Sequence, residues 1–132
     1  MREEAAIFSG VPLDLASGAA AGSVLTKAVV RAADRLGLSS AVLARVLGLS
    51  APTVTRMRRG DYVVDGKPFE LAVLLVRLYR SLDAIAGGDD AVAAAWMQAP
   101  NSALQDRPVN LVQKVAGLIH VIQYLDARRA LG

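Results

Sequence analysis

Ser39-Ser40-Ala41-Val42-Leu43-Ala44-Arg45-Val46-Leu47-Gly48-Leu49-Ser50-Ala51-Pro52-Thr53-Val54-Thr55-Arg56-Met57-Arg58-Arg59 reads as two short helices joined by a tight turn. Ser39 and Ser50 each sit where a side-chain oxygen can cap a helix by accepting from first-turn N–H groups. Pro52 falls in the first turn of the second helix, where its missing N–H is harmless. Three residues carry the pattern. Ala44 is small enough for the second helix to pass close to the first. Gly48 takes φ > 0 at the turn without a Cβ clash. Val54 closes a small core with Leu43, Leu47, Leu49 and Met57. The residues left for the outer face are Ser50, Thr53, Thr55, Arg56 and Arg59, and Arg58 completes a run of arginines. Those types suit base edges and phosphates. Residues 45–59 hold four arginines and no acid. The six candidates for DNA contact are therefore Ser50, Thr53, Thr55, Arg56, Arg58 and Arg59. The same pattern also fits an ordinary corner between two helices with a solvated basic face.

Outward from this unit, the chain reads as helical throughout. Its 132 residues make one domain or two small ones. Hydrophobic residues are 54% and charged residues 20%, enough for a core. Aromatics are only 5% and alanine and leucine dominate, which favours an all-α fold. The formal charge of +3 permits nucleic acid without demanding it.

Residues 1–22 are small and Gly/Ala-rich and read as a flexible N-terminal arm. Residues 23–86 form the helix-turn-helix domain. It opens with a helix capped at Ser23, whose Leu25, Ala28, Val29, Ala32 and Leu36 repeat at helical spacing. After the helix-turn-helix comes a loop over 61–67, then a long helix from Pro68 to about Ile85. Gly87-Gly88 is the clearest break, and residues 87–132 form a C-terminal region. A short helix over 89–98 leads to a turn at Pro100-Asn101. A last, continuous helix runs from Pro108 to about Ala130. Its stripe of Leu111, Val112, Val115, Leu118, Ile119, Ile122 and Leu125, widened by Val121, calls for burial on more than one side. Either it is the central core helix, or part of the stripe serves a partner.

Several classes of chemistry drop out. With no cysteine there is no disulfide scaffold, thiol nucleophile or cysteine zinc site. His120 is the one histidine, and the nearest acid in sequence is Asp126 on another face. It reads as a buried or half-buried structural residue. Paired carboxylates occur only at Glu3-Glu4 and Asp89-Asp90, and no phosphate-loop lysine follows Gly87-Gly88. No catalytic residue, metal site or cofactor is expected. Met1-Arg2-Glu3-Glu4 does not open a signal peptide. Residues 115–125 are too short to span a bilayer. A cytoplasmic protein without a membrane partner is expected.

A second pattern lies downstream: Trp96-Met97, Pro100-Asn101, Leu104, Pro108, Leu111-Val112, Gly117, Val121 and Leu125. With the helix-turn-helix before it, the chain resembles the Xre/MbcA/ParS antitoxin family over most of residues 25–132. Met97 stands where leucine is usual, and Gln105-Asp106 where glycine is often found. The resemblance implies a partner toxin with a RES domain that consumes NAD or ADP-ribosylates a target. It also implies a homodimer, binding of the operon's own promoter DNA, and a C-terminal segment that covers the toxin's NAD pocket.

Under that resemblance, the toxin-binding candidates are Trp96, Asn101, Gly117, Val121, Leu125, Arg128, Arg129, Leu131 and Gly132. Several keep a structural alternative. Trp96 is an interface anchor or a core aromatic beneath the Pro100 turn. Asn101 contacts the toxin or caps its own turn. Gly117 costs about 1 kcal/mol relative to alanine in mid-helix, which close approach of another helix or of a partner backbone would explain. The tail over 126–132 carries arginines suited to acids on the toxin and a carboxylate suited to a phosphate site, or is a solvated helix end. The rival function is a stand-alone helix-turn-helix repressor with a C-terminal dimerisation unit.

Overall fold

The computed structural model describes residues 19–131, which form seven helices. They are α1 (Ala19–Arg35), α2 (Ser40–Leu47), α3 (Ala51–Arg59), α4 (Gly66–Ile85), α5 (Asp90–Gln98), α6 (Pro108–Leu111) and α7 (Val115–Leu131). No strand occurs among the described residues, so the fold is all-α, with a helix-turn-helix unit followed by a C-terminal helical unit. Most of the expected N-terminal arm lies outside the described residues. Residues 19–22 already belong to α1, because the alanines before Ser23 are strong helix formers and carry the helix past that expected cap.

The α2–α3 unit forms as its local chemistry dictates. Ser39 Oγ accepts from the Val42 N–H at 3.1 Å and Ser50 Oγ from the Thr53 N–H at 3.2 Å. Gly48 sits at φ 70° and its N–H closes on the Ala44 carbonyl. A Cβ at position 48 would meet nothing within 4 Å, so the dihedral requires glycine there and crowding does not. Ala44, Val54 and Met57 are buried and Leu49 is half-buried.

A single core runs through both units. It takes in Leu25, Val29 and Leu36 of α1, Leu43 and Leu47 of α2, Leu75, Leu78 and Leu82 of α4, Met97 of α5, and Leu118 and Leu125 of α7. Two buried hydroxyls join its parts. Thr26 Oγ1 donates to the Gly22 carbonyl at 2.6 Å and accepts from the Val64 N–H at 3.0 Å, tying the segment after α3 to α1. Ser81 Oγ donates to Asp126 at 2.9 Å and accepts from Arg129 at 3.1 Å, tying α4 to α7.

The expected continuous last helix is two helices. The backbone turns over residues 112–114, and α7 leaves in a new direction. A Cβ at Gly117 would overlap the Leu111 carbonyl oxygen. The close approach expected at this glycine is therefore made by the chain's own α6, not by a partner. A corresponding adjustment occurs before α6. Gln105, standing where glycine is common, takes the left-handed φ of 65° and keeps the turn. Asn101 Oδ1 accepts from the Leu104 N–H at 3.0 Å, which is the capping role.

His120 is exposed, contrary to the expectation of burial. The buried side of α7 is Leu118, Val121, Ile122 and Leu125, and position 120 falls on the opposite side of the helix.

Gly117→Ala is expected to lower stability by about 2 kcal/mol, because the backbone overlap outweighs alanine's higher helix propensity. The urea midpoint measures it, and an unchanged or raised midpoint would contradict the close approach. Asp126 responds to pH. The Ser81 hydroxyl and then the Arg77 guanidinium hold its carboxyl below the ordinary carboxylate range. A lowered folded-state value contributes stability above the unfolded pKa of about 4, which is lost as pH falls through the folded value. The group is 36% exposed, so Asp126→Asn should cost under about 1 kcal/mol at neutral pH. That difference should shrink when unfolding is repeated at progressively lower pH below about 4.

Candidate nucleic-acid and toxin surfaces

Helix α3 buries Val54 and Met57 and turns its other side to solvent. Residues 51, 55 and 59 follow one another at four-residue spacing, and 52 and 56 flank them. The exposed face is therefore Ala51, Pro52, Thr55, Arg56 and Arg59. Arg56 is oriented on this face. Its guanidinium lies 5.7 Å from the Tyr62 ring centroid and donates to Thr53 Oγ1 at 3.4 Å. Thr55 Oγ1 donates to the Ala51 carbonyl at 3.2 Å, and both residues are exposed. A face with two cations and small apolar groups matches what a major groove offers: phosphates, guanine acceptors and thymine methyls.

The six sequence candidates do not all lie there. Ser50 and Thr53 form the N-terminal cap, and their hydroxyls stand 2.8 Å apart. Thr53 is half-buried. Arg58 is directed elsewhere. Its guanidinium pairs with Asp34 of α1 at 2.7 Å and donates to Ser40 Oγ of α2 at 2.9 Å. It clamps three helices together and is occupied by that task. Sequence spacing could not separate it from Arg59, because the partner acid lies 24 residues upstream.

The C-terminal candidates divide in the same way. Val121 and Leu125 are 0% and 1% exposed, so these two expected contacts lie inside the core against α4, not on a partner surface. Gly117 is taken up by Leu111. The exposed apolar flank of α7 is instead Val115 and Ile119, at 52% and 40% exposure. Trp96 is half-buried and stacks on Tyr124, with ring centroids 6.3 Å apart. Arg128 closes the row by donating to the Tyr124 hydroxyl at 2.9 Å. Tyr124 was missed in the sequence, although its four-residue spacing from Arg128 was available as a signal. Arg129 donates to Ser81 from the α7 side. Leu131 is 87% exposed, and Gly132 lies outside the described residues.

Among the described residues no cluster of His, Asp or Glu is placed to hold a metal ion. No described helix is long and apolar enough to cross a membrane.

Residues 15–77 match the antitoxin Xre-like helix-turn-helix domain. Residues 81–130 match the antitoxin Xre/MbcA/ParS C-terminal toxin-binding domain. No curated protein matches the chain at a significant level. The two matched segments adjoin inside α4, the helix against which both α1 and α7 pack. With an arginine-bearing helix-turn-helix and a toxin-binding region built on one core, the chain belongs to the Xre/MbcA/ParS antitoxins of toxin–antitoxin systems.

Proposed function

We propose that this antitoxin neutralises a RES-domain toxin by covering its active site with the end of α7, and that as a homodimer it represses its own operon through α3. The observation that carries the toxin reading is the state of the α7 end. A leucine 87% exposed stands one residue past the matched toxin-binding segment, beside an Arg128 held in place by Tyr124. An apolar side chain held out in water next to an oriented guanidinium suits insertion into a partner pocket. Trp96, through its stack on Tyr124, is a support for that end. The exposed Val115 and Ile119 lie on the other flank of α7 and are not part of that end. The RES class and the NAD pocket rest on the family resemblance. No catalytic step is assigned to the antitoxin itself.

The DNA reading rests on the α3 face. Arg56 and Arg59 lie outward on it, and no ion pair among the described residues engages either. A homodimer would present two such helices to two half-sites, the usual geometry for helix-turn-helix proteins.

Two experiments test these assignments. Arg128→Glu with Leu131→Asp is expected to abolish growth rescue when co-expressed with the toxin from the neighbouring gene. Toxin capture should weaken at least about tenfold, while the helical circular dichroism stays unchanged. Full rescue by the double variant would remove the covering mechanism. Arg56→Ala with Arg59→Ala is expected to weaken promoter binding at least about tenfold and to flatten its log–log salt dependence by about 0.9 for each phosphate no longer neutralised. Absence of salt-dependent promoter binding by the wild-type chain would refute repression through α3.

A further inference from the structure

A cleft of about 450 Å³ lies between α1 and the end of α3. Lys27, Arg31 and Asp34 line it from α1, and Arg58, Arg59 and Tyr62 from the other side. Four cations face one carboxylate there, an excess equal to the formal charge of +3 carried by the whole chain. The cleft lining therefore carries a local excess of three positive charges.

The arrangement within the cleft is selective. Lys27 and Arg31 are four residues apart on a helix and so share one face, both exposed. No ion pair among the described residues engages either of them. The acid is treated differently. Asp34 would repel any anion entering the cleft, and the Arg58 guanidinium sits on it at 2.7 Å. Arg59 belongs both to the cleft and to the outer face of α3, which makes the basic surface continuous from one helix to the other.

We infer that this cleft is a second DNA contact, in which Lys27 and Arg31 of α1 hold the phosphate backbone beside the groove that α3 enters. Arg58 is the positioning residue: it neutralises Asp34 and fixes α1 against α3. This rests on the assignment of α3 to DNA and adds a sequence-independent component to it. Phosphate contacts of this kind set affinity and orientation, while base contacts from Arg56 and its neighbours set sequence preference.

The test uses the full chain and two duplexes of equal length, its own promoter and an unrelated sequence, in anisotropy titrations at several salt concentrations. Lys27→Ala with Arg31→Ala should weaken binding to both duplexes by the same factor and flatten the log–log salt slope by nearly two. Arg56→Ala should instead weaken the promoter more than the unrelated duplex. Arg58→Ala should weaken both, and adding Asp34→Asn should recover the part of the loss due to the bared carboxylate, a rescue that a purely structural role for Arg58 would not produce. An unchanged salt slope in the Lys27/Arg31 variant, with wild-type promoter binding intact, overturns the inference, as it would if the cleft served a free anion instead. Failure of the wild-type chain to bind its promoter removes the α3 assignment first, and the two failures are told apart by that control.

Discussion

The carbonyl oxygen of Leu111 occupies the space that any side chain at position 117 would need. Much of the architecture follows from that approach. It lets α6 stop after four residues and α7 start at an angle to it. In its new direction α7 lays Leu118, Val121, Ile122 and Leu125 on the core against α4. Each such side chain contributes roughly 1.5–3 kcal/mol when fully buried, so together they outweigh several times over the cost of about 1 kcal/mol for glycine within a helix. The same turn places Gln113 where its side-chain oxygen accepts from Arg45 of α2. The toxin-binding region and the helix-turn-helix are thereby parts of one packed body.

Polar groups settle the details that apolar packing leaves open. Burying a hydroxyl without a partner is costly, and both Thr26 and Ser81 are fully partnered. Each spans two segments far apart in sequence, so each penalises sliding of one against the other. The Ser81–Asp126–Arg77–Arg129 group does this at the α4–α7 seam, and it explains why Asp126 and Arg129 serve the fold before they serve any partner.

What could be read in the sequence was local. Ser39, Ala44, Gly48, Ser50 and Val54 act within a turn or two of themselves, and the structure places them as their spacing implied. What could not be read was which edge of a helix meets which neighbour. The apolar stripe of the last helix was visible, but period alone could not tell that Val121 and Leu125 face α4 while Val115 and Ile119 face water. Nor could it tell that His120 lies opposite the core. The break at residues 112–114 depends on a backbone approach six positions from Gly117, which no propensity records. Arg58 is the clearest case among the site residues. Arg56 and Arg59 on either side of it in sequence are outward, and only the fold brings Asp34 to it.

That pair bears on how a chain of modest net charge recognises DNA. A charge of +3 spread evenly over a surface gives little steering, because exposed charges are screened beyond about 8 Å at physiological salt. Gathered around one cleft and one helix face, cations act together on an approaching phosphate instead of being screened singly. The Asp34–Arg58 pair neutralises the carboxylate that lines the cleft and ties α1 to α3 in the same contact. Orientation on the duplex is then set by where the cations are held, and total charge matters less than the α1–α3 contact that holds them.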